Sequence, residues 1–284
     1  MTATQEDGFV PLFNGVDLTG WVAQPRVYGP YWPGGPELRQ MAPHAFSEEY
    51  WENAPHRPAV WTVEDGAIVG RQDEPGSGFG GFLVTEQKYG DYELVLEANP
   101  DWPADTGIIL RKEWDGFGGI QVLVDYRQSG SIGGFYGNGI GGWHAVSYAF
   151  DGVVDQGGKL LSLKEDDPVT SIEPVGDKAE LLTYGIGVDD FLSTWRVNDW
   201  NEIRVRIVGA KPIVTTWING LKTAEIDLAA LKAPNYEADQ VAEFLGRASH
   251  IGLEVHDSDP MMKQGRWGIG NACRWRNLRI KELS

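Results

Sequence analysis

In the run His250 to His256, apolar and polar residues alternate. An extended chain puts Ile251, Leu253 and Val255 on one side, and His250, Gly252, Glu254 and His256 on the other. The same reading of Thr106 to Arg111 groups Gly107, Ile109 and Arg111, and of Ile120 to Asp125 groups Gln121, Leu123 and Asp125. An open sheet face carrying His256, Glu254, Arg111, Asp125 and Gln121 brings imidazole, carboxylate, guanidinium and amide together. Such a set can move protons, hold a developing negative oxygen and bond the hydroxyls of a sugar. Tyr136 and Trp143 add flat faces for stacking on a sugar ring, and His144 lies in a glycine-rich loop able to reach the same hollow. The bland alternatives are solvated strand carboxylates, a turn-capping histidine and core aromatics.

Other chemistries find less support. The chain has one cysteine, Cys273, and no His-Glu-x-x-His run, so thiolate clusters and that zinc spacing are absent. Asp257, Asp259 and the acidic run at 165–167 offer oxygen ligands to a divalent cation such as calcium, without the twelve-residue calcium loop. No glycine-rich phosphate loop joins a strand to a helix, and no nucleophile elbow is present. The charge sum, 24 − 41 = −17, repels phosphate backbones and anionic lipid, so nucleic acid and membranes are poor partners.

The elements that must position these residues are mostly strands. Period-two alternation recurs in Tyr92 to Glu97, Glu202 to Val208, Ile213 to Ile218 and Arg274 to Ile280. Asn14-Gly15, Asp65-Gly66, Asp115-Gly116 and Asn219-Gly220 punctuate them as turns. Many short strands between turns predict an all-β sandwich of two antiparallel sheets. Short helices are expected at Ser47 to Glu52, Leu228 to Lys232 and Asp239 to Leu245. Two segments break the rhythm: 24–58, with seven prolines and many aromatics, and 140–199, long and acidic. The first reads as an ordered loop packed on one domain spanning 1–284. Residues 128–150 carry no formal charge, but their seven glycines make a poor membrane span. An N-terminus without a basic, then apolar, run and the single cysteine read as cytoplasmic.

Phe9-Val10-Pro11-Leu12-Phe13-Asn14-Gly15 with Leu18-Thr19-Gly20-Trp21 resembles the opening of the 3-keto-disaccharide hydrolase family. Trp61 to Gly70, Tyr89-Gly90-Asp91-Tyr92, Thr106-Gly107-Ile108-Ile109-Leu110-Arg111, Trp217-Ile218-Asn219-Gly220, His250 to His256 and Arg276 to Ile280 follow in the family's order. Where the family shows Glu-x-Gln-Ile-x-Asp, this chain has Gly119-Ile120-Gln121-Val122-Leu123-Val124-Asp125, and Glu254 stands where the family has Gln. The resemblance implies a concanavalin-like jelly roll that cleaves glycosides already oxidised to a ketone at sugar carbon 3.

That activity implies roles. A base removes the proton on carbon 2, the substituent on carbon 1 leaves by β-elimination, and water adds to the enone for net hydrolysis. His256 or Glu254 would be the base, Arg111 the enolate stabiliser, Asp125 the acid or hydroxyl-orienting group, and Gln121 a hydroxyl partner. The alternatives are a non-catalytic, lectin-like carbohydrate-binding module and a conventional glycosidase acting through two flanking carboxylates.

Overall fold

The structure, a computed structural model, describes residues 8–258 and 265–283. Two antiparallel sheets pack face to face as a jelly-roll sandwich. The outer sheet has nine strands and is centred on Tyr92–Pro100, with Asn201–Val208 and Cys273–Glu282 on either side. The other sheet has seven, in the order His144–Ala145, Ile132–Asn138, Gly119–Tyr126, Ala104–Lys112, His250–Val255, Gly81–Thr85 and Trp21–Pro25. Between the sheets Leu94, Leu96, Val205 and Ile207 meet Ile108, Val122, Val124, Ile251 and Leu253 in one core.

The two sheets differ in what covers their second faces. Asn201–Val208 alternates between Ile203, Val205 and Ile207 inside and Arg204 and Arg206 in water. By contrast, Ala104–Lys112, Gly119–Tyr126 and His250–Val255 are buried at every position. A sheet buried on both faces needs a roof. Residues 26–58 supply it, as the aromatic content of that segment predicts. Phe46, Tyr50 and Trp51 form a small core of their own with Tyr28 and Phe79 against it. The helix Glu48–Asn53 within this roof is capped by Ser47, whose hydroxyl accepts from the Tyr50 amide at 3.1 Å.

The Asp65-Gly66 and Asn219-Gly220 turns both close hairpins with positive φ at each residue, 50° and 77°, and 48° and 87°. That is the mirror-image turn whose twist matches paired strands. The helix expected at Leu228 to Lys232 is instead a turn. Asp227 accepts from the Ala229 amide at 2.8 Å and so ends the strand with its own side chain. The segment 140–199 holds more order than its pattern suggests: a hairpin of Phe150–Val154 and Leu160–Glu165, and a helix at Val188–Thr194. Among the described residues, no helix is long and apolar enough to cross a membrane.

Candidate active site

The buried face of the seven-stranded sheet is divided. Phe82, Val84, Ile109 and Phe117 make its apolar half. Its polar half surrounds a hollow enclosing about 620 Å³, open solvent included, into which Gln121, Asp125, Tyr136, His144 and His256 project. Strand alternation delivers Gln121, Asp125 and His256 as the sequence predicts, because Val122, Val124, Leu253 and Val255 occupy the opposite, core side.

At one end of the hollow stands Arg26, the first residue after the strand Trp21–Pro25. Its Nε donates to Glu254 Oε1 and its Nη1 to Asp257 Oδ1, both at 2.6 Å, with all three side chains almost wholly buried. Its guanidinium carbon lies 4.6 Å from the Tyr28 ring centroid and 5.0 Å from that of Phe117. Burial works against the Arg26 charge, but Asp257 and Glu254 outweigh it and keep the group cationic. Asp257 also accepts from the hydroxyls of Tyr50, at 2.9 Å, and Tyr28, at 3.1 Å. Although burial raises its pKa, Arg26 and His256 hold that carboxyl far below the usual range.

His256 sits between the charges. Its Nδ1 is 2.8 Å from the Asp257 carbonyl and 2.9 Å from Oδ1 of the same residue. Both partners only accept, so Nδ1 carries the hydrogen and the neutral ring presents a lone pair at Nε2. Nε2 is 3.1 Å from Arg26 Nη2 and 3.8 Å from Asp105 Oδ2. Burial and the Arg26 charge disfavour the imidazolium, but Asp105 and Asp257 prevail and raise the pKa of His256 above its ordinary value. Glu254 is not placed to act as a base. Its two oxygens are taken by Arg26 and, at 2.7 Å, by Gln121 Nε2, and the residue is fully buried.

Across the hollow, Asp105 and Asp125 face each other on paired strands. Arg127 Nε lies 2.8 Å from Asp125 Oδ1 and 3.7 Å from Asp105 Oδ2, and Arg266 donates to Asp105 at 2.5 Å. Burial would raise Asp105, but His256, Arg266 and Arg127 pull it below the ordinary carboxylate value. Burial, only partly offset by Arg127, and the neighbouring Asp105 charge raise Asp125 to about 8. Two adjacent carboxylates thus differ in state at neutral pH, one an anion and the other holding its proton. Arg127 also donates to Glu173 at 2.5 Å, and His144 Nδ1 lies 3.2 Å from that same carboxylate.

Two expected members lie elsewhere. Arg111 is buried beside Tyr92, with Nη2 3.2 Å from Asp91 Oδ1 and Nη1 donating to the Gly246 carbonyl. The cause is a bulge. Gly252 pairs with Ile109 but His250 with Lys112, and Arg111 takes a φ of 51°, so the alternation flips and Lys112 inherits the site-side position. Trp143 belongs to the core and meets Tyr236 edge-on at 6.3 Å, because its neighbour His144 takes the site face of that short strand. Of the proposed cation ligands, Asp257 is engaged by Arg26, Asp259 lies outside the described residues, and Asp167 caps the Val169 amide at 2.8 Å. No group of three His, Cys, Asp or Glu suited to a metal occurs among the described residues. Glu93 and Glu97, four apart on Tyr92–Pro100, are ion-paired with Arg204 and Arg276 on the outer sheet, away from the hollow.

Arg26, Asp105, Arg127, Glu173 and Arg266 escape the sequence reading. Asp105 and Arg127 were within its reach: each extends an alternating run by one more site-facing position. Arg26, Glu173 and Arg266 lie outside the strands and carry no such signal.

Fold and hollow together define a jelly-roll protein with a charged cleft on its seven-stranded sheet. Residues 8–281 match the model of the 3-keto-α-glucoside-1,2-lyase-like domain, and the chain belongs to that family. Among solved structures, a candidate glycosyl hydrolase of Parabacteroides distasonis is similar at 16% identity, covering 98% of this chain and 94% of that one, with a TM-score of 0.49. A second from the same organism shows 17% identity over 79% of this chain and 90% of its own, at 0.44. A carbohydrate-binding module of Bacillus subtilis shows 9%, covering 79% and 92%, at 0.42. No curated protein matches the chain.

Proposed function

We propose that this hollow cleaves 3-keto-glycosides, with His256 as the base at sugar carbon 2, Arg26 as the enolate stabiliser and Asp125 as the acid. The reading is carried by one juxtaposition: the His256 Nε2 lone pair and the Arg26 Nη2 donor stand 3.1 Å apart. Carbon 2 and the carbon 3 ketone are adjacent on the ring, so a sugar whose carbon 2 hydrogen meets Nε2 has its ketone oxygen within reach of Nη2. The ketone takes the N–H that Nε2 accepts in the free protein, and the lone pair is released for the proton.

The steps balance. Nε2 takes the carbon 2 proton, the electron pair moves onto the ketone oxygen, and the enolate is held by the guanidinium. Its collapse expels the oxygen on carbon 1, which Asp125 protonates as it leaves. Water adding at carbon 1 of the enone, with a proton returned to carbon 2, completes hydrolysis. Asp257 orients His256 through Nδ1 and steadies the imidazolium. Gln121 joins Asn138, at 3.2 Å, to Glu254 and fixes the hydroxyl-bonding edge.

The test pairs a 3-keto-glucoside with its unoxidised parent in deuterated buffer. Aglycone released only from the former, with deuterium at carbon 2 of the product, is expected. Release from both would make the protein a conventional glycosidase, and release from neither, with sugar bound, a lectin.

A further inference from the structure

Glu173 belongs to the acidic segment 140–199, yet it lines the hollow. The amide of its neighbour Ile172 donates to the Ser129 hydroxyl at 3.1 Å, which pins the segment beside Arg127. Glu173 Oε2 accepts from Arg127 Nη2 at 2.5 Å, while His144 Nδ1 and Lys178 Nζ lie 3.2 and 3.7 Å from Oε1. Burial works against the Glu173 charge, but His144 and Arg127 prevail and hold the carboxyl far below the usual range. Nη1 of Arg127 donates to the Gln128 carbonyl at 2.9 Å. Both terminal nitrogens of the guanidinium are thus engaged elsewhere than at Asp125. Nε lies 2.8 Å from Asp125 Oδ1, and no hydrogen bond is aligned between them.

We propose that Glu173 is a positioning residue for the acid: it draws the Arg127 guanidinium off Asp125, so that Asp125 keeps the proton it gives to the leaving oxygen. This rests on the role of Asp125 in the proposed reaction. A buried guanidinium facing a carboxylate with no competitor closes on it through paired hydrogen bonds, and the carboxylate is then held ionised. An ionised Asp125 has no proton to give, and Glu173 supplies the competing anion. The charged groups facing Asp125 are Asp105 from the paired strand, Arg127 just beyond its own, Arg266, and Glu173 and Lys178 from the segment 140–199. Burial raises Asp125 most, Arg127 and Arg266 oppose it, and Asp105 and Glu173 add to it. Neutralising Glu173 therefore acts twice, removing a repelling charge and freeing a guanidinium.

The test sets Glu173→Gln, which keeps the shape and removes the charge, beside the wild type and Asp125→Asn. NMR titration of the aspartate side-chain carboxyl carbons follows Asp125 directly, its signal identified by its absence from Asp125→Asn. The wild-type midpoint is expected at about 8 and that of Glu173→Gln about one unit or more lower. Above both midpoints each unit of difference is a tenfold loss of the protonated acid. At about pH 9, Glu173→Gln should therefore release methanol from the methyl 3-keto-glucoside about tenfold more slowly than the wild type. It should cleave the nitrophenyl 3-keto-glucoside within about threefold of the wild-type rate, because nitrophenolate needs no acid. An unmoved Asp125 midpoint, or equal losses on both substrates, would overturn the role of Glu173. The acid assignment would still stand on the split between the two substrates in Asp125→Asn. Absence of that split in Asp125→Asn would overturn the acid, and this inference with it.

Discussion

Replacing Arg26 with Met tests the centre of the argument. The guanidinium is the partner of two carboxylates, Glu254 and Asp257, whose side chains are 0% exposed. Removing one member of such a buried set strands charge in a poorly solvated place, which costs about 3–5 kcal/mol. For a chain of this size that corresponds to a fall in Tm of about 6–10 °C. Urea unfolding followed by tryptophan fluorescence measures it, with 12 tryptophans to report. The pH dependence has a definite sign. Asp257 is held below its unfolded pKa, so its contribution is full above about pH 4 and is lost as pH falls through its folded value. Arg26→Met removes that contribution, so the gap from the wild type should be widest above about pH 5 and close in acid. Adding Glu254→Gln to Arg26→Met should recover about 1 kcal/mol or more by neutralising one stranded carboxylate. An Arg26→Met protein within about 1 kcal/mol of wild type across pH 5–8 would refute the buried-triad reasoning, and undiminished turnover would refute its catalytic role.

Asp125→Asn should lower turnover of alkyl 3-keto-glucosides by about 10²–10³-fold and that of a nitrophenyl analogue much less, since nitrophenolate leaves unaided. Asp125, raised to about 8, contributes stability that is full below the unfolded carboxylate pKa and lost as pH rises through the folded value. The Asn variant should therefore lose its stability slope between about pH 4 and 8, and kcat its decline above about 8, both readable by titration. Tyr50→Phe removes one hydrogen bond to the buried Asp257 carboxylate; a loss of about 1.5–3 kcal/mol in stability is expected, with kcat falling more than KM rises. Arg111→Met should cost about 1.5–3 kcal/mol by removing one of the two guanidinium partners of Asp91, which keeps Arg247 at 2.8 Å, yet leave kcat and KM of the folded protein unchanged; a large kcat loss would return Arg111 to the chemistry.

The strand faces were legible because alternation is a local property, and Gln121, Asp125 and His256 needed nothing else. Arg111 shows where that ends. A bulge is a property of two paired strands, and nothing in Leu110-Arg111-Lys112 announces that the partner runs from Gly252 to His250 across one residue fewer. Arg26 was illegible for a different reason. It lies in an irregular segment, and its partners, more than two hundred residues away, come together only through the tertiary fold. Likewise Leu228 to Lys232 has helix-favouring residues, yet the Asp227 side chain closes a turn there first. Trp143 and His144 differ by one position and by the whole thickness of the sheet.

The separation of 228 residues between Arg26 and Glu254 also has a meaning for the ribosome-bound chain. The cation emerges 228 residues before Glu254, so a chain that stops short of that point holds the Arg26 guanidinium without Glu254, His256 or Asp257. Long-range closures of this kind are slow to form. A nascent or prematurely terminated chain therefore lacks the Arg26–Glu254–Asp257 cluster, which comes together only when these two distant segments of the polypeptide clasp.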